Sequence, residues 1–311
     1  MTADAAREPG RVVASHGRQL LVESASGERV SCRLHGRRLA AVCGDEVEWS
    51  RDSGQSSGTV YAILPRRRTL ARLAGNGRPE TIVANLTQLV VVVAPRPAPD
   101  WFVVDRYLAG ASWSGVGAVI ACNKVELGLV QTTAEELAAY QAIGYSVVHC
   151  SARATPGTAA LAATLAGATS VLVGQSGAGK SSLLNALAPE ACAVTQEISA
   201  ASDQGRHTTT HAVLHRVASG GDLIDSPGVR DYAPPLPAVR EIASGFAEIA
   251  AAAGGCRFQD CLHTGEPACA VAAAHAAGRI SQRRLQSYRR LLELARQLAT
   301  RYPDRRPPRV S

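Results

Sequence analysis

The chain has 311 residues, of which 46% are hydrophobic, and carries a formal net charge of +7. The length suits two or three domains. No apolar run approaches the ~20 residues that a membrane-spanning helix needs, and the opening MTADAAREPGRVV has no signal-peptide core, so a soluble, cytoplasmic, monomeric protein is expected. Eight cysteines in that setting argue against a disulfide framework. Cys32, Cys43, Cys122, Cys150 and Cys192, each among apolar neighbours, read as small buried hydrophobes.

Residues 10–65 read as five short strands, RVVAS, QLLVES, RVSCRL, EVEWS and TVYAIL, separated by glycine-containing turns. Five such strands fit a small barrel of the oligonucleotide-binding (OB) type over 1–70, with an SH3-like barrel as the alternative. Residues 71–84 are expected to be a basic, glycine-containing linker. QLVVVVA at 88–94 is an apolar run suited to a parallel strand buried on both faces. From there helices and strands alternate: VVDRYLAGAS, GAVIACN, TAEELAAYQAIG, YSVVHC, GTAALAATLAG, SVLVG, KSSLLNALA, then HAVLHRV and DLID. That alternation predicts a doubly wound α/β domain over 85–234. Residues 235–311 are expected to be helical, with a Cys/His cluster at 256–269. An amphipathic helix over 280–300 follows, its apolar positions Leu285, Tyr288, Leu291, Leu292, Ala295 and Leu298 recurring at helical spacing, and the tail is rich in Pro and Arg.

Charge is unevenly distributed. Residues 279–311 hold ten Arg against Glu293 and Asp304, and residues 1–73 hold twelve Arg against eight acids. Two basic ends imply a polyanionic partner, most naturally nucleic acid. Aromatics make up only 4% of the chain, which favours contact with the nucleic-acid backbone over base stacking. Of the 33 Lys and Arg residues only Lys124 and Lys180 are lysines. A lysine is a compact point charge suited to a phosphate or to the space beneath a base, where the arginine fork does not fit.

Lys180 ends a phosphate-binding signature: Gly174, Gln175, Ser176, Gly177, Ala178, Gly179, Lys180 and Ser181 match G-x-x-x-x-G-K-S, with a strand before and a helix after. Its backbone N–H groups and helix N-terminus suit phosphates through Ser182, Lys180 suits the β- and γ-phosphates, and Ser181 suits Mg²⁺. Downstream, DLIDSPG releases Asp225, which can hold the magnesium shell through water, and Gly228, whose N–H can sense the γ-phosphate. GRHTTT occupies the place of a switch loop, and one of Thr208, Thr209 or Thr210 is expected to close on Mg²⁺. Val229 stands where many GTPases carry a water-orienting Gln, so unassisted hydrolysis is expected to be slow. His207 is the candidate to position the water, a structural histidine being the alternative.

Lys124 belongs to Asn123-Lys124-Val125-Glu126, an Asn-Lys-x-acid tetrad at a strand end that suits guanine. Ser151-Ala152 at the end of the next strand supplies the expected N–H partner for guanine O6. Glu126 replaces the usual Asp on a longer stem, so its carboxylate must be re-aimed. In sequence the base-reading segments precede the phosphate loop. The order is therefore a cyclic rotation of the usual one, a circular permutation that moves the termini to surface loops and keeps the packed sheet. As a result the Asp225–Gly228 segment runs directly into the helical region.

Cys256, Cys261, His263 and Cys269 give C-x₄-C-x-H-x₅-C, a closed set of three thiolates and one imidazole suited to one structural Zn²⁺. With the barrel, GQSGAGKSS, GRHTTT, DSPG and CxxxxCxHxxEPxCAV together, the chain resembles the ribosome small-subunit-dependent GTPase A (RsgA) family over roughly residues 10–300. The resemblance implies a circularly permuted P-loop GTPase domain between an OB-type barrel and a C-terminal helical zinc-binding domain. It implies GTP hydrolysis to GDP and phosphate, stimulated by the small ribosomal subunit and its rRNA, in late maturation of that subunit. Three readings compete with it: a permuted GTPase acting on the large subunit, a P-loop ATPase or kinase, and an RNA-binding module with a vestigial nucleotide site.

Overall fold

The computed structural model describes residues 7–75, 77–189, 212–226, 229 and 232–303. Strands β1 (Glu8–His16), β2 (Gln19–Ser24), β3 (Arg29–Leu34), β4 (Glu46–Arg51) and β5 (Ser57–Ile63) fall where the alternating pattern puts them. They pair in the order β1-β2-β3-β5-β4, with β3 and β5 parallel, and β1 pairs β4 to close the sheet on itself. This closed Greek-key arrangement is the OB barrel. Val12, Leu20, Val22, Val30, Val47, Trp49 and Val60 fill its interior.

The stretch expected to be a linker is instead a hairpin, β6 (Thr69–Leu73) with β7 (Pro79–Ala84). Leu70 and Val83 are fully buried and join the core of the next domain, so the segment gains more by pairing than by staying extended. Asn76-Gly77, a dipeptide that favours tight hairpin turns, is the sequence signal for it. Gly77 has φ +77°, and its N–H donates to Ala74 O at 2.9 Å.

The α/β domain contains β8 (Gln88–Val93), α1 (Trp101–Trp113), β9 (Gly117–Cys122), α2 (Gln131–Ala142), β10 (Ser146–His149), α3 (Ala159–Leu165), β11 (Thr169–Val173), α4 (Lys180–Leu187), β12 (Ala212–Val217) and β13 (Gly221–Asp225). Its strand order is β10-β9-β8-β11-β13-β12, parallel except for β12. The chain thus enters mid-sheet at β8, works outward to β10, returns beside β8 as β11 and works outward the other way. Side chains of α1 and α2 pack on one face, those of α3 and α4 on the other. Between β8 and β11 the winding reverses, and crevices at such a point hold ligands.

The α/β sheet and the barrel are continuous. β12 pairs with β1 at Ala14↔Val213 and Ser15↔Ala212, so the described strands form one eleven-stranded sheet. Arg11 reinforces the seam through Asp222 at 2.5 Å and Thr169 Oγ1 at 2.9 Å, and Arg216 through Asp222 at 2.7 Å and Glu23 at 2.5 Å.

The C-terminal domain comprises a 3-10 turn (Val239–Gly245), α5 (Ala247–Ala253), α6 (Ala270–Ala276) and α7 (Gln282–Arg301). Its core of Ile242, Phe246, Ile249, Val271, Leu285, Tyr288, Leu291 and Leu292 includes Ala109 and Trp113 of α1, so α1 serves two domains. The arginines of α7 are not all on solvent faces, as their charge alone suggests. Arg284 is only 4% exposed; it donates to Asp105 of α1 at 2.6 Å and grips Glu248 with two nitrogens at 2.6 and 2.9 Å. Arg283 donates to Asp105 at 2.7 Å and to Glu136 of α2 at 2.7 Å, and Tyr140 Oη donates to Asp105 at 2.5 Å. A fully buried carboxylate beside α7 needs these partners, because an unpaired charge in the interior is prohibitively costly. Burial opposes the charge of Arg284, but Glu248 and Asp105 raise its pKa above the ordinary arginine value.

Candidate nucleotide cleft and metal cluster

Three loops converge at the reversal point. The loop 174–179 leaves β11 and enters α4, and its backbone needs glycine. Gly174 has φ +141°, and a Cβ there would lie 2.2 Å from Val92 O of β8. Gly179 has φ +96°, and a Cβ there would lie 2.3 Å from Asn123 Nδ2. Any side chain at either position would push the loop off its neighbours. Lys180 Nζ curls back to Gly174 O (2.6 Å) and Gln175 O (3.0 Å). The first turn of α4 leaves its backbone N–H groups facing this loop, an arrangement suited to anions.

Asn123 is 1% exposed and spends its amide on two loops: Nδ2 donates to Ala178 O at 3.0 Å, and Oδ1 accepts from Ala152 N at 3.2 Å. One side chain therefore joins the three segments read from sequence as base-binding and phosphate-binding. Lys124 takes a left-handed backbone, φ +60°, and its Nζ donates to Gly177 O at 2.5 Å and Arg96 O at 3.0 Å. Both lysines of the chain thus bear on one phosphate-type loop. Buried Ser151 Oγ accepts from Arg153 N (3.2 Å) and Ala154 N (2.9 Å), which fixes the turn that carries Ala152.

These groups line a cleft of about 690 Å³, with Asn123, Lys124 and Glu126 on one wall and Ser176, Gly177, Gly179, Lys180, Ser181 and Ser182 on another. Glu126 lies in the 3-10 turn Val125–Leu127 and is exposed to the cleft, free to meet a base. Sequence reading missed Leu127 and Arg153, which also line it. No periodicity or motif marks them; only proximity to Glu126 and Ala152 hinted at their place. Gln175, read from sequence as part of the phosphate loop, makes a contact no motif announces: its Oε1 accepts from Asp100 N at 3.1 Å and so ties the loop to the N-cap of α1.

On the far side of the loop, Lys180, Ser181, Asp225 and Ser226 line a second recess. A hydroxyl and a carboxylate brought together beside a phosphate loop are the hard oxygen donors that Mg²⁺ takes. Val229 is buried in the core and cannot orient water. His207, Thr208, Thr209, Thr210 and Gly228 lie outside the described residues.

In the C-terminal domain Cys256, Cys261, His263 and Cys269 form one cluster, their ligand atoms all within 4.8 Å of one another. The three Sγ atoms lie 3.6, 3.4 and 3.5 Å from His263 Nδ1. A tetrahedral zinc with Zn–S near 2.3 Å and Zn–N near 2.0–2.1 Å requires S···N edges of about 3.5 Å, so the set fits that ion. Burial holds the His263 pKa below the usual imidazole value, in the neutral form that a metal needs. Glu266 braces the loop: its carboxylate accepts from the N–H groups of Leu262 (2.9 Å), Thr264 (2.7 Å) and Gly265 (3.1 Å). Burial opposes its charge, but these backbone donors prevail and pull its pKa down to about 2. Tyr288 Oη of α7 donates to Leu262 O at 2.8 Å, fastening the cluster to the domain core.

A doubly wound sheet with its phosphate loop at the reversal point, its Asn-Lys tetrad on the neighbouring strand end and its termini relocated defines a circularly permuted GTPase. Comparison with known proteins agrees. The family model described as RsgA GTPase matches residues 63–233. The chain is similar to the small ribosomal subunit biogenesis GTPase RsgA of Pseudomonas aeruginosa, 40% identical over 289 residues, covering 92% of this chain and 85% of that one. A relative of the same name in Azotobacter vinelandii is 40% identical over 290 residues, covering 91% and 84%. Among solved structures it is similar to YjeQ from Thermotoga maritima, with TM-score 0.75, 28% identity, and coverage of 93% of this chain and 99% of that one. It is also similar to YloQ, a circularly permuted GTPase, with TM-score 0.73, 25% identity and coverage of 96% and 98%. The chain belongs to the RsgA GTPase family and is a GTP-hydrolysing enzyme.

Proposed function

We propose that the protein acts in late maturation of the small ribosomal subunit, binding the subunit and its rRNA and hydrolysing GTP in response. The observation that carries the reading is Asn123 joining the base-side and phosphate-side loops in a chain whose relatives are named for small-subunit biogenesis. In this reading Asn123, Lys124 and Glu126 hold guanine, with Val125 and the Ser151-Ala152 turn completing the base site. Gly174 to Ser182 hold the phosphates, Lys180 offsets the charge developing on them, and Ser181 and Asp225 serve Mg²⁺. Gly228 and one of Thr208, Thr209 and Thr210 complete the γ-phosphate side, and His207 positions the water. GTP and GDP are the nucleotides that the family implies, and Mg²⁺ the cation. One Zn²⁺ at Cys256, Cys261, His263 and Cys269 is structural, since four protein ligands leave no open position for chemistry.

The protein works as a cytoplasmic monomer. No described helix is long and apolar enough to cross a membrane. The test is GTP turnover with and without purified small subunits, with ATP run in parallel. Stimulation of at least about tenfold, corresponding to ~1.4 kcal/mol of transition-state stabilisation, is expected with GTP alone. Equal rates with and without subunits, or equal use of ATP, contradict it.

A further inference from the structure

Three large hydrophobic side chains stand exposed among the described residues, Leu127, Val130 and Phe258, and only Phe258 is aromatic. It lies in the loop between Cys256 and Cys261, 41% exposed and outside the core cluster that takes in its neighbours Cys256, Cys261 and Leu262. The other two phenylalanines pack inside, Phe246 fully and Phe102 beneath Arg290. The loop that presents Phe258 is held on both flanks: Cys261 N–H donates to Phe258 O at 3.2 Å, and Arg257 N–H donates to Ala268 O at 3.5 Å. Two metal-type ligands bracket it in sequence, so the ring is displayed on a fixed mount and loses little freedom when something covers it. The Arg257 guanidinium sits 5.5 Å from the ring centroid. Exposed Arg289 of α7 donates to His263 O at 3.5 Å, within the same cluster. Asp260 is the one exposed acid of the loop.

We propose that Phe258 is a stacking platform for an unpaired nucleobase of RNA, with Arg257 and Arg289 meeting the flanking phosphates. This rests on the reading that the partner is rRNA. An exposed aromatic face accompanied by guanidinium groups matches a base and its backbone together, whereas paired bases in a duplex offer no free face. It adds to the expectation, drawn from the scarcity of aromatics, that base stacking is not the main contact: one ring on a rigid mount is enough for one base.

The test uses the full chain with Phe258→Ala, Phe258→Leu, Phe258→Trp and Arg257→Ala, each checked for zinc content. Affinity for purified small subunits is measured across a salt series. Phe258→Ala and Phe258→Leu are expected to weaken binding about 5- to 150-fold at every salt concentration. Phe258→Trp should retain wild-type affinity, and Arg257→Ala should reduce the salt slope by about one. In a second arm, single-stranded RNA should quench the added tryptophan emission of Phe258→Trp while duplex RNA leaves it unchanged. Wild-type affinity for Phe258→Leu would indicate an apolar protein contact and overturn the inference, and loss of zinc from every Phe258 variant would make the ring structural and do the same. Failure of the wild-type chain to bind subunits, with single-strand quenching intact, would defeat the functional reading and leave this inference standing. Subunit binding that is indifferent to all three Phe258 variants would do the reverse.

Discussion

The nucleotide cleft and the Cys/His cluster are built on opposite plans. The cluster takes its four ligands from fourteen consecutive residues, 256–269, on a loop too short to hold a core. The cleft and the recess beside it gather 123–126, 151–153, 174–182 and 225 from four strand ends of one sheet. The first rests on donor type and local spacing, and the second on the packing of β8, β9, β10, β11 and β13. α1 stands between them, with its N-cap Asp100 bonded to Gln175 of the phosphate loop and its Asp105 locked to Arg283 and Arg284 of α7. The difference teaches that a chain can be permuted through a site of the distributed kind, because spatial packing and not chain order assembles it.

The contrast can be broken most severely at Lys180. Lys180→Ala should lower GTP turnover by about two orders of magnitude or more, the usual cost of removing one charge-stabilising donor, while zinc content stays at the wild-type level. Single-turnover kinetics and metal analysis check the two halves. Next comes the joint between the sites. Arg284→Ala takes from Glu248 the guanidinium that grips it and from buried Asp105 one of its three partners, and should destabilise the fold by about 3–5 kcal/mol in chemical denaturation. Arg216→Ala, at the barrel seam, removes a side chain that is 58% exposed and should cost less than about 1 kcal/mol. If the two are equal, the C-terminal seam is no firmer than the barrel seam.

Asn123→Ala strips partners from Ala178 O and Ala152 N–H and should weaken GTP binding by about 1–3 kcal/mol, with the preference for GTP over ATP reduced in a competition titration. The smallest effect on nucleotide binding belongs to Glu126→Asp. The shorter stem keeps the same carboxylate chemistry, so GTP affinity should shift by less than about tenfold, or ~1.4 kcal/mol. A larger loss would mean that the cleft is tuned to the longer side chain.

Legibility from sequence follows the same division. The Cys/His cluster was readable to the residue because donor type and spacing are local. So were the phosphate loop and the tetrad, which sit at the ends of strongly patterned strands. The cross-bonds were not: nothing in the periodicity around Asn123 announces Ala178 O or Ala152 N, because both are long-range contacts. The hairpin β6–β7 was signalled by Asn76-Gly77 but masked by its polar composition. Arg283 and Arg284 looked like solvent charges because helical spacing does not reveal that a buried Asp105 lies opposite. The β1–β12 pairing was hidden for a similar reason, since an open strand edge carries no mark of its partner.

The central claim is that the cleft stands on its sheet and the zinc cluster serves the partner. The direct measurement is the Cys261→Ser variant of the full chain, assayed side by side for zinc content, GTP affinity and subunit-stimulated turnover. Zinc should be lost, GTP affinity should stay within about threefold of wild type, ~0.65 kcal/mol, and stimulation by small subunits should disappear. Collapse of GTP affinity along with the zinc, or full stimulation without it, would contradict the account.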